Sequence, residues 1–161
     1  MTKQDTYFAI FLGALTAAVT DSIPLFNLVN CFCCLGIISG GIIPIWLLSK
    51  RLEDRAFFSA PEVVHIGISA GLIGAILAFV FQYIVFQIYG NWQVQWLTQA
   101  LESMEELPPL WEDLYNEMQK PEYQGFAGAA ILIRNLIMFP LLTLLGSFLM
   151  NKFLIRRAGQ N

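Results

Sequence analysis

An arginine inside an apolar segment has the clearest potential for chemistry in this sequence. Arg134 lies eight residues beyond Phe126, with Asn135 beside it and no other charge nearby. A charged side chain within a membrane helix is costly, so it normally faces other helices and is paired or hydrated. We therefore expect the guanidinium of Arg134 to point inward and to meet a polar group on another helix.

Three other apolar segments place polar side chains at a similar depth. The residues concerned are Asp21, Gln82, Asn27 and Asn30. With Arg134 and Asn135 they predict an intramembrane polar layer. Two interpretations stay open. Arg134 extends toward solvent or forms a structural ion pair with Asp21, or the layer is a site for a ligand or an ion.

A cluster of three cysteines raises the question of metal or redox chemistry. Cys31, Cys33 and Cys34 offer soft ligands. The sequence has no further cysteine and a single histidine, His65, so additional metal ligands are missing. We expect small packing residues near the outer end of a helix, and neither a metal nor another cofactor.

Four long apolar segments must position these residues. They run over about 7–26, 31–49, 64–89 and 125–150, each close to the ~20 residues with which a helix crosses a bilayer. The chain is 57% hydrophobic and 13% charged, unlike an ordinary soluble domain. The pattern predicts an all-α protein, with residues 1–161 forming one integral membrane domain of four transmembrane helices. The first segment is expected to be an uncleaved anchor.

Basic residues alternate between the connecting segments and predict the orientation. Seven lie on one side: Lys3, Lys50, Arg51, Arg55, Lys152, Arg156 and Arg157. Only Lys120 lies on the other side, in the long loop 90–124. Because basic residues are retained in the cytoplasm, both termini are predicted inside and this loop outside. The net charge of −3 is the sum over both sides of the membrane, so it does not indicate a binding partner. No nucleic-acid partner is expected.

The long outer loop carries two helical patterns separated by Pro108 and Pro109. Apolar residues recur at helical spacing over 92–106 and 109–119. Three tryptophans suit the lipid headgroup level. The polar faces are acidic, whereas helices that bind anionic lipid are rich in lysine and arginine. An amphipathic helical hairpin over the outer face is therefore predicted.

Small residues recur at the spacing that lets membrane helices touch closely. The glycines in these rows are Gly36, Gly40, Gly67, Gly71 and Gly74. One interpretation is packing within the chain. The other is that a row faces a second copy or a partner protein.

The layout resembles uncharacterised bacterial four-helix integral membrane proteins. The features that carry the resemblance are Ile23-Pro24-Leu25-Phe26-Asn27, Cys33-Cys34, Gly40-Gly41 and Gly146-Ser147, followed by basic residues. The glycine-rich third segment and the acidic outer loop fit as well. The resemblance covers most of the chain and implies a bacterial cytoplasmic (inner) membrane. It implies no activity.

Two classes of function are expected from the sequence. The first is a non-enzymatic scaffold or accessory subunit of a larger membrane assembly, which associates with lipid and with other membrane subunits or with itself. The alternative is a small transporter or channel that uses the polar layer around Arg134. An enzyme is not expected, because no Ser/His/Asp set, HExxH motif or pair of intramembrane acids is present.

Overall fold

The computed structural model describes residues 3–23, 34–51, 57–89 and 121–159. Within these ranges the chain forms four helices and no strand: α1 (Lys3–Ser22), α2 (Leu35–Arg51), α3 (Ala60–Tyr89) and α4 (Pro121–Ala158). The predicted all-helical class is confirmed. The predicted outer helices 92–106 and 109–119 lie outside the described residues.

Each helix extends beyond the apolar segment from which it was predicted at one end or both, and the extensions of α3 and α4 have identifiable causes. Helix α3 begins at Ala60 rather than at 64, because Ser59 and Glu62 form a capping box. Both the backbone N–H and the hydroxyl of Ser59 donate to Glu62 Oε2, at 2.9 and 2.7 Å. Helix α4 continues from 150 to Ala158, since lysine, leucine and arginine favour helices and cations are stabilised at a helix C-terminus.

Each of the terminal helices packs against both central ones. Helix α1 contacts α2 and α3, and α4 also contacts α2 and α3, while α2 and α3 contact each other less extensively. Helices α1 and α4 therefore occupy opposite corners of the packed helices.

Glycines bring α2 and α3 into direct backbone contact with α4. A Cβ atom on Gly41 would lie 1.8 Å from Thr143 O, and one on Gly146 would lie 2.1 Å from Ile38 O. A Cβ on Gly71 would lie 2.4 Å from Pro140 Cα. No side chain larger than hydrogen fits at these positions without moving a helix.

The glycines predicted for helix packing lie between helices of this chain. A Cβ on Gly40 would lie 2.7 Å from the Cβ of Ala17 on α1. Gly67 lies against Leu144 of α4, and Gly74 lies between Phe139 and Ala14. Gly36 is buried as well. The contacts therefore follow the interpretation in which these rows pack internally, and they leave these glycines unavailable to a partner.

Polarity is inverted relative to a water-soluble protein. Thr143, Ser147 and Asn135 are fully buried, whereas Leu141 and Ile133 are 60% and 59% exposed. Two segments, Ala60–Val85 in α3 and Gly128–Ala158 in α4, are long and apolar enough to cross a membrane. In the α4 segment only 17% of the most apolar window is buried within the chain. Most of that apolar surface is left exposed by the other described helices.

Candidate functional site

A series of side-chain hydrogen bonds connects three helices near the C-terminal end of α1. Asp21 of α1 is buried, and the amide Nε2 of Gln82 on α3 donates to its Oδ2 at 2.8 Å. The amide Nδ2 of Asn135 on α4 donates to Gln82 Oε1 at 3.0 Å. We call Asp21, Gln82, Arg134 and Asn135 the outer polar cluster. Gln82 thereby bridges the opposite corners formed by α1 and α4.

The carboxylate of Asp21 sets the direction of both side-chain hydrogen bonds in the outer polar cluster. An ionised Asp21 only accepts, so Gln82 must turn its NH₂ group toward it and its oxygen toward Asn135. Asn135 must then present its own NH₂ group, which directs its Oδ1 away from Gln82. This oxygen is fully buried and has no hydrogen-bond partner among the described residues.

A buried acceptor without a donor carries an unrecovered desolvation cost. Asn135 Oδ1 therefore keeps its capacity to accept a hydrogen bond. It is the one feature of the outer polar cluster that points to a small ligand rather than to structure alone.

Arg134 lies at the rim of the outer polar cluster. Its terminal nitrogen is 3.8 Å from Asp21 Oδ1, and its side chain is 57% exposed. This distance is too long for a hydrogen bond, and a pair with one exposed partner contributes little stability. Asn135, the adjacent residue, takes the interior position expected for Arg134, since neighbours on a helix point about 100° apart.

A hydroxyl group also joins α1 to α3 beside the outer polar cluster. Ser22, the next residue after Asp21, donates its hydroxyl to the backbone oxygen of Ala78 at 3.3 Å. Helices α1 and α3 are therefore joined at two successive residues of α1. Asn27 and Asn30, the other residues predicted for the layer, lie outside the described residues.

The inward face of α4 carries further polar residues that the sequence predictions did not include. Thr143 Oγ1 lies 2.8 Å from the backbone oxygen of Gly67, and Ser147 Oγ donates to that of Gly41 at 3.1 Å. Asn151 accepts from the N–H of Phe58 and donates to its C=O, both at 2.9 Å. With Asn135 these residues repeat in steps of four or eight, which places them on one helix face. This spacing is the sequence pattern from which the inward face of α4 could have been predicted.

The described residues contain no group of three potential metal-ligating side chains. Cys34 is half-buried just before α2 and has a positive φ of 57°, an unusual conformation for a residue with a Cβ. Cys31 and Cys33 lie outside the described residues, and His65 is exposed on α3. The outer polar cluster is thus the candidate site that the geometry supports.

No protein-family model matches the chain, and no match was found among curated proteins or solved structures. The resemblance to bacterial four-helix membrane proteins stays an expectation from the sequence.

Proposed function

We propose that this chain is a non-enzymatic accessory subunit that spans the bacterial cytoplasmic membrane four times, with both termini in the cytoplasm. The inverted polarity supports the membrane environment, because buried hydroxyls bonded to helix backbones, together with many exposed large apolar side chains, suit helices that pack in an apolar solvent. The packing of α1 and α2 alongside the two helices that are long and apolar enough to cross a membrane supports four spans.

The spacing of polar groups along the helices fits one slab of hydrocarbon. The distance along α1 from Asp5 to Asp21 is about 24 Å, and along α3 from Glu62 to Gln82 about 30 Å, at ~1.5 Å per residue. The distance along α4 from Arg134 to Lys152 is about 27 Å by the same rise. All three values are close to the ~30 Å thickness of a bilayer core. This placement puts the outer polar cluster at the outer boundary, where a half-exposed arginine can reach the headgroups.

The observation that carries the accessory role is a continuous exposed stripe on α4. Arg134, Ile137, Leu141 and Leu145 recur at helical spacing, and each is 47–60% exposed. Small-residue packing is already used inside the chain, so we assign the partner to this larger apolar face. The half-exposed guanidinium at its outer end suits a partner helix that carries a carboxylate at the same level.

Site-specific photo-crosslinking in native membranes tests the accessory role. A photoreactive residue at Leu141 should give one discrete protein product, whereas the same residue at Ile76, 56% exposed on α3, should give lipid products. Arg134→Leu should abolish the Leu141 product, and Arg134→Lys should retain it. Equal protein products from both positions, or a product indifferent to Arg134→Leu, would contradict the proposal.

The orientation is tested separately by labelling single cysteines in a background that lacks Cys31, Cys33 and Cys34. A membrane-impermeant reagent added from outside should label a cysteine at Ser103 and leave one at Gly159 unlabelled. The opposite pattern would reverse the topology without affecting the crosslinking result.

A small transporter or channel is the second candidate, and the unpartnered Oδ1 of Asn135 favours it. The close contacts at Gly41, Gly71 and Gly146 weigh against a path continuing inward between α2, α3 and α4. Uptake or binding of a cation by purified protein in vesicles, lost in Asn135→Leu, would favour this candidate over the accessory subunit.

A further inference from the structure

A groove of about 310 Å³ lies between the C-terminal ends of α2 and α4. Its charged and polar lining consists of Lys50, Arg157 and Ser49, and its apolar lining includes Trp46, Phe153 and Leu154. The groove is open to the surroundings and lies at the opposite end of the helices from the outer polar cluster. None of these residues takes part in the accessory role proposed above.

The two cations of the groove have no anionic partner among the residues that the structure describes. Neither Lys50 nor Arg157 forms an ion pair with a described residue, and no acidic residue of the described chain lines the groove. Arg51, the neighbour of Lys50, is used differently. It pairs with Asp5 of α1 and lies over the ring of Phe8, 5.7 Å from its centroid. Arg51 is thus neutralised by Asp5, whereas Lys50 and Arg157, which line the groove, have no ion-pair partner among the described residues.

The apolar lining continues from the cations along the side of the helices. Trp46 and Phe153 are 46% and 58% exposed, and Leu154 is half-buried between the helices. A tryptophan beside cations at a helix end is the usual arrangement at a membrane–water interface. The groove therefore offers positive charge for a phosphate and a continuous apolar surface for a hydrocarbon chain.

We propose that this groove binds an anionic phospholipid of the cytoplasmic leaflet. Its phosphate lies between Lys50 and Arg157, and an acyl chain runs along Phe153 and Leu154. Basic pockets between helices on the cytoplasmic side are suited to such headgroups. The assignment to the cytoplasmic leaflet rests on the membrane placement proposed above. The recognition itself requires only that the groove faces lipid.

Quenching of Trp46 fluorescence by brominated lipids tests the lipid site. Trp92, Trp96 and Trp111 are replaced by Phe, and the full chain is reconstituted in phosphatidylcholine vesicles with a minor fraction of either brominated phosphatidylglycerol or brominated phosphatidylcholine. The anionic lipid should quench Trp46 more strongly at equal bromine content. Lys50→Gln and Arg157→Gln should each lower its relative affinity about fivefold, the effect expected for loss of one juxtamembrane cation.

The matched control removes two equally basic residues outside the groove, Lys152→Gln with Arg156→Gln. It should leave most of the preference for the anionic lipid intact. An equal loss in this control would reduce the effect to general surface attraction and overturn the site. A fluorescence response to inorganic phosphate or glycerol phosphate in zwitterionic vesicles would indicate a soluble anion site and would also overturn the lipid proposal.

The symmetric vesicles separate this proposal from the one on which it rests. If the topology is reversed, the anionic lipid still quenches Trp46, and only the assignment to the cytoplasmic leaflet fails. If Trp46 is quenched by neither brominated lipid, the groove does not face a bilayer, and the membrane placement fails with it.

Discussion

The two ends of the helix interface are joined by different chemistry. At the outer end, side chains bond to side chains, through the chain from Asp21 to Gln82 to Asn135. Further inward, side-chain hydroxyls contact backbone carbonyls of glycines, as Thr143 does at Gly67 and Ser147 at Gly41. The inner contacts depend on backbone proximity, whereas the outer ones depend on a single charge.

This difference separates what fixes the fold from what remains available for function. Where helix backbones touch, no space remains for a ligand. In the outer polar cluster the orientation of two amides depends on Asp21, and one buried acceptor stays without a donor in the described chain. Substitutions at the glycine contacts are therefore expected to lower the stability most. Substitutions in the outer polar cluster are expected to change ligand binding.

The largest effect is expected for Gly41→Ala. Its Cβ would lie 1.8 Å from Thr143 O, so α2 and α4 must separate, at a cost of about 3 kcal/mol or more. Thermal unfolding in detergent, followed by circular dichroism, measures the loss. Gly128→Ala is the control, because no heavy atom lies within 4 Å of its position. Equal melting temperatures for the Gly41 variant and the unchanged protein would contradict the backbone contact.

The outer polar cluster is tested next, with Asp21→Ala. The change removes the acceptor of the half-buried Gln82 side chain, which we expect to cost about 1–3 kcal/mol. Asp21→Asn should cost less, because its side-chain oxygen can still accept from Gln82. Denaturant unfolding of both variants checks the order. If they lose the same stability, the hydrogen bond to Gln82 is not what holds α1 to α3.

A smaller and more local effect is expected for Asn151→Ala at the inner end. It removes both hydrogen bonds to the backbone of Phe58, for a loss of about 1–2 kcal/mol. Hydrogen exchange should become faster at the Phe58 amide and stay unchanged at α1. Unaltered exchange at Phe58 would show that this segment is held by apolar packing alone.

The smallest expected effect is the coupling between Asp21 and Arg134. Both single variants, Asp21→Asn and Arg134→Leu, and their combination form a double-mutant cycle. Because the atoms are 3.8 Å apart and Arg134 is more than half exposed, we expect less than about 1 kcal/mol of coupling. The sign should make Arg134→Leu better tolerated when Asp21→Asn is present. A coupling of several kcal/mol would show that the arginine lies in the interior, and it would contradict the difference between the two ends.

Helix content could be predicted from the sequence because long apolar segments leave few alternatives. Depth counting along those segments also brought Asp21, Gln82 and Asn135 to one level. The side of α4 could not be predicted by counting, since Arg134 and Asn135 differ by one residue and depth is the same for both. The polar stripe through Thr143, Ser147 and Asn151 would have resolved it, because in lipid the polar face of a helix points inward.

The close contacts could be anticipated only in part. Rows of glycine predict that helices touch, but they do not say which helices. Gly67 lies against α4, whereas Gly74 on the same helix lies between α4 and α1. The start of α3 was missed because a capping box is made of polar residues that hydropathy ignores. The hydrogen bonds between Ser59 and Glu62 identify the first turn.

The arrangement of contacts also bears on how the chain is assembled during synthesis. Helix α1 meets both of its neighbours, α2 and α3, before the ribosome has made α4. Asp21 can therefore acquire Gln82 as a partner while the last quarter of the protein is still being translated. The glycine faces of α2 and α3 stay open to lipid until α4 enters between them. In the proposed membrane, the packing of the described helices is thus completed only when α4 is inserted, and a chain stalled before Pro121 leaves α2 and α3 without their α4 contacts.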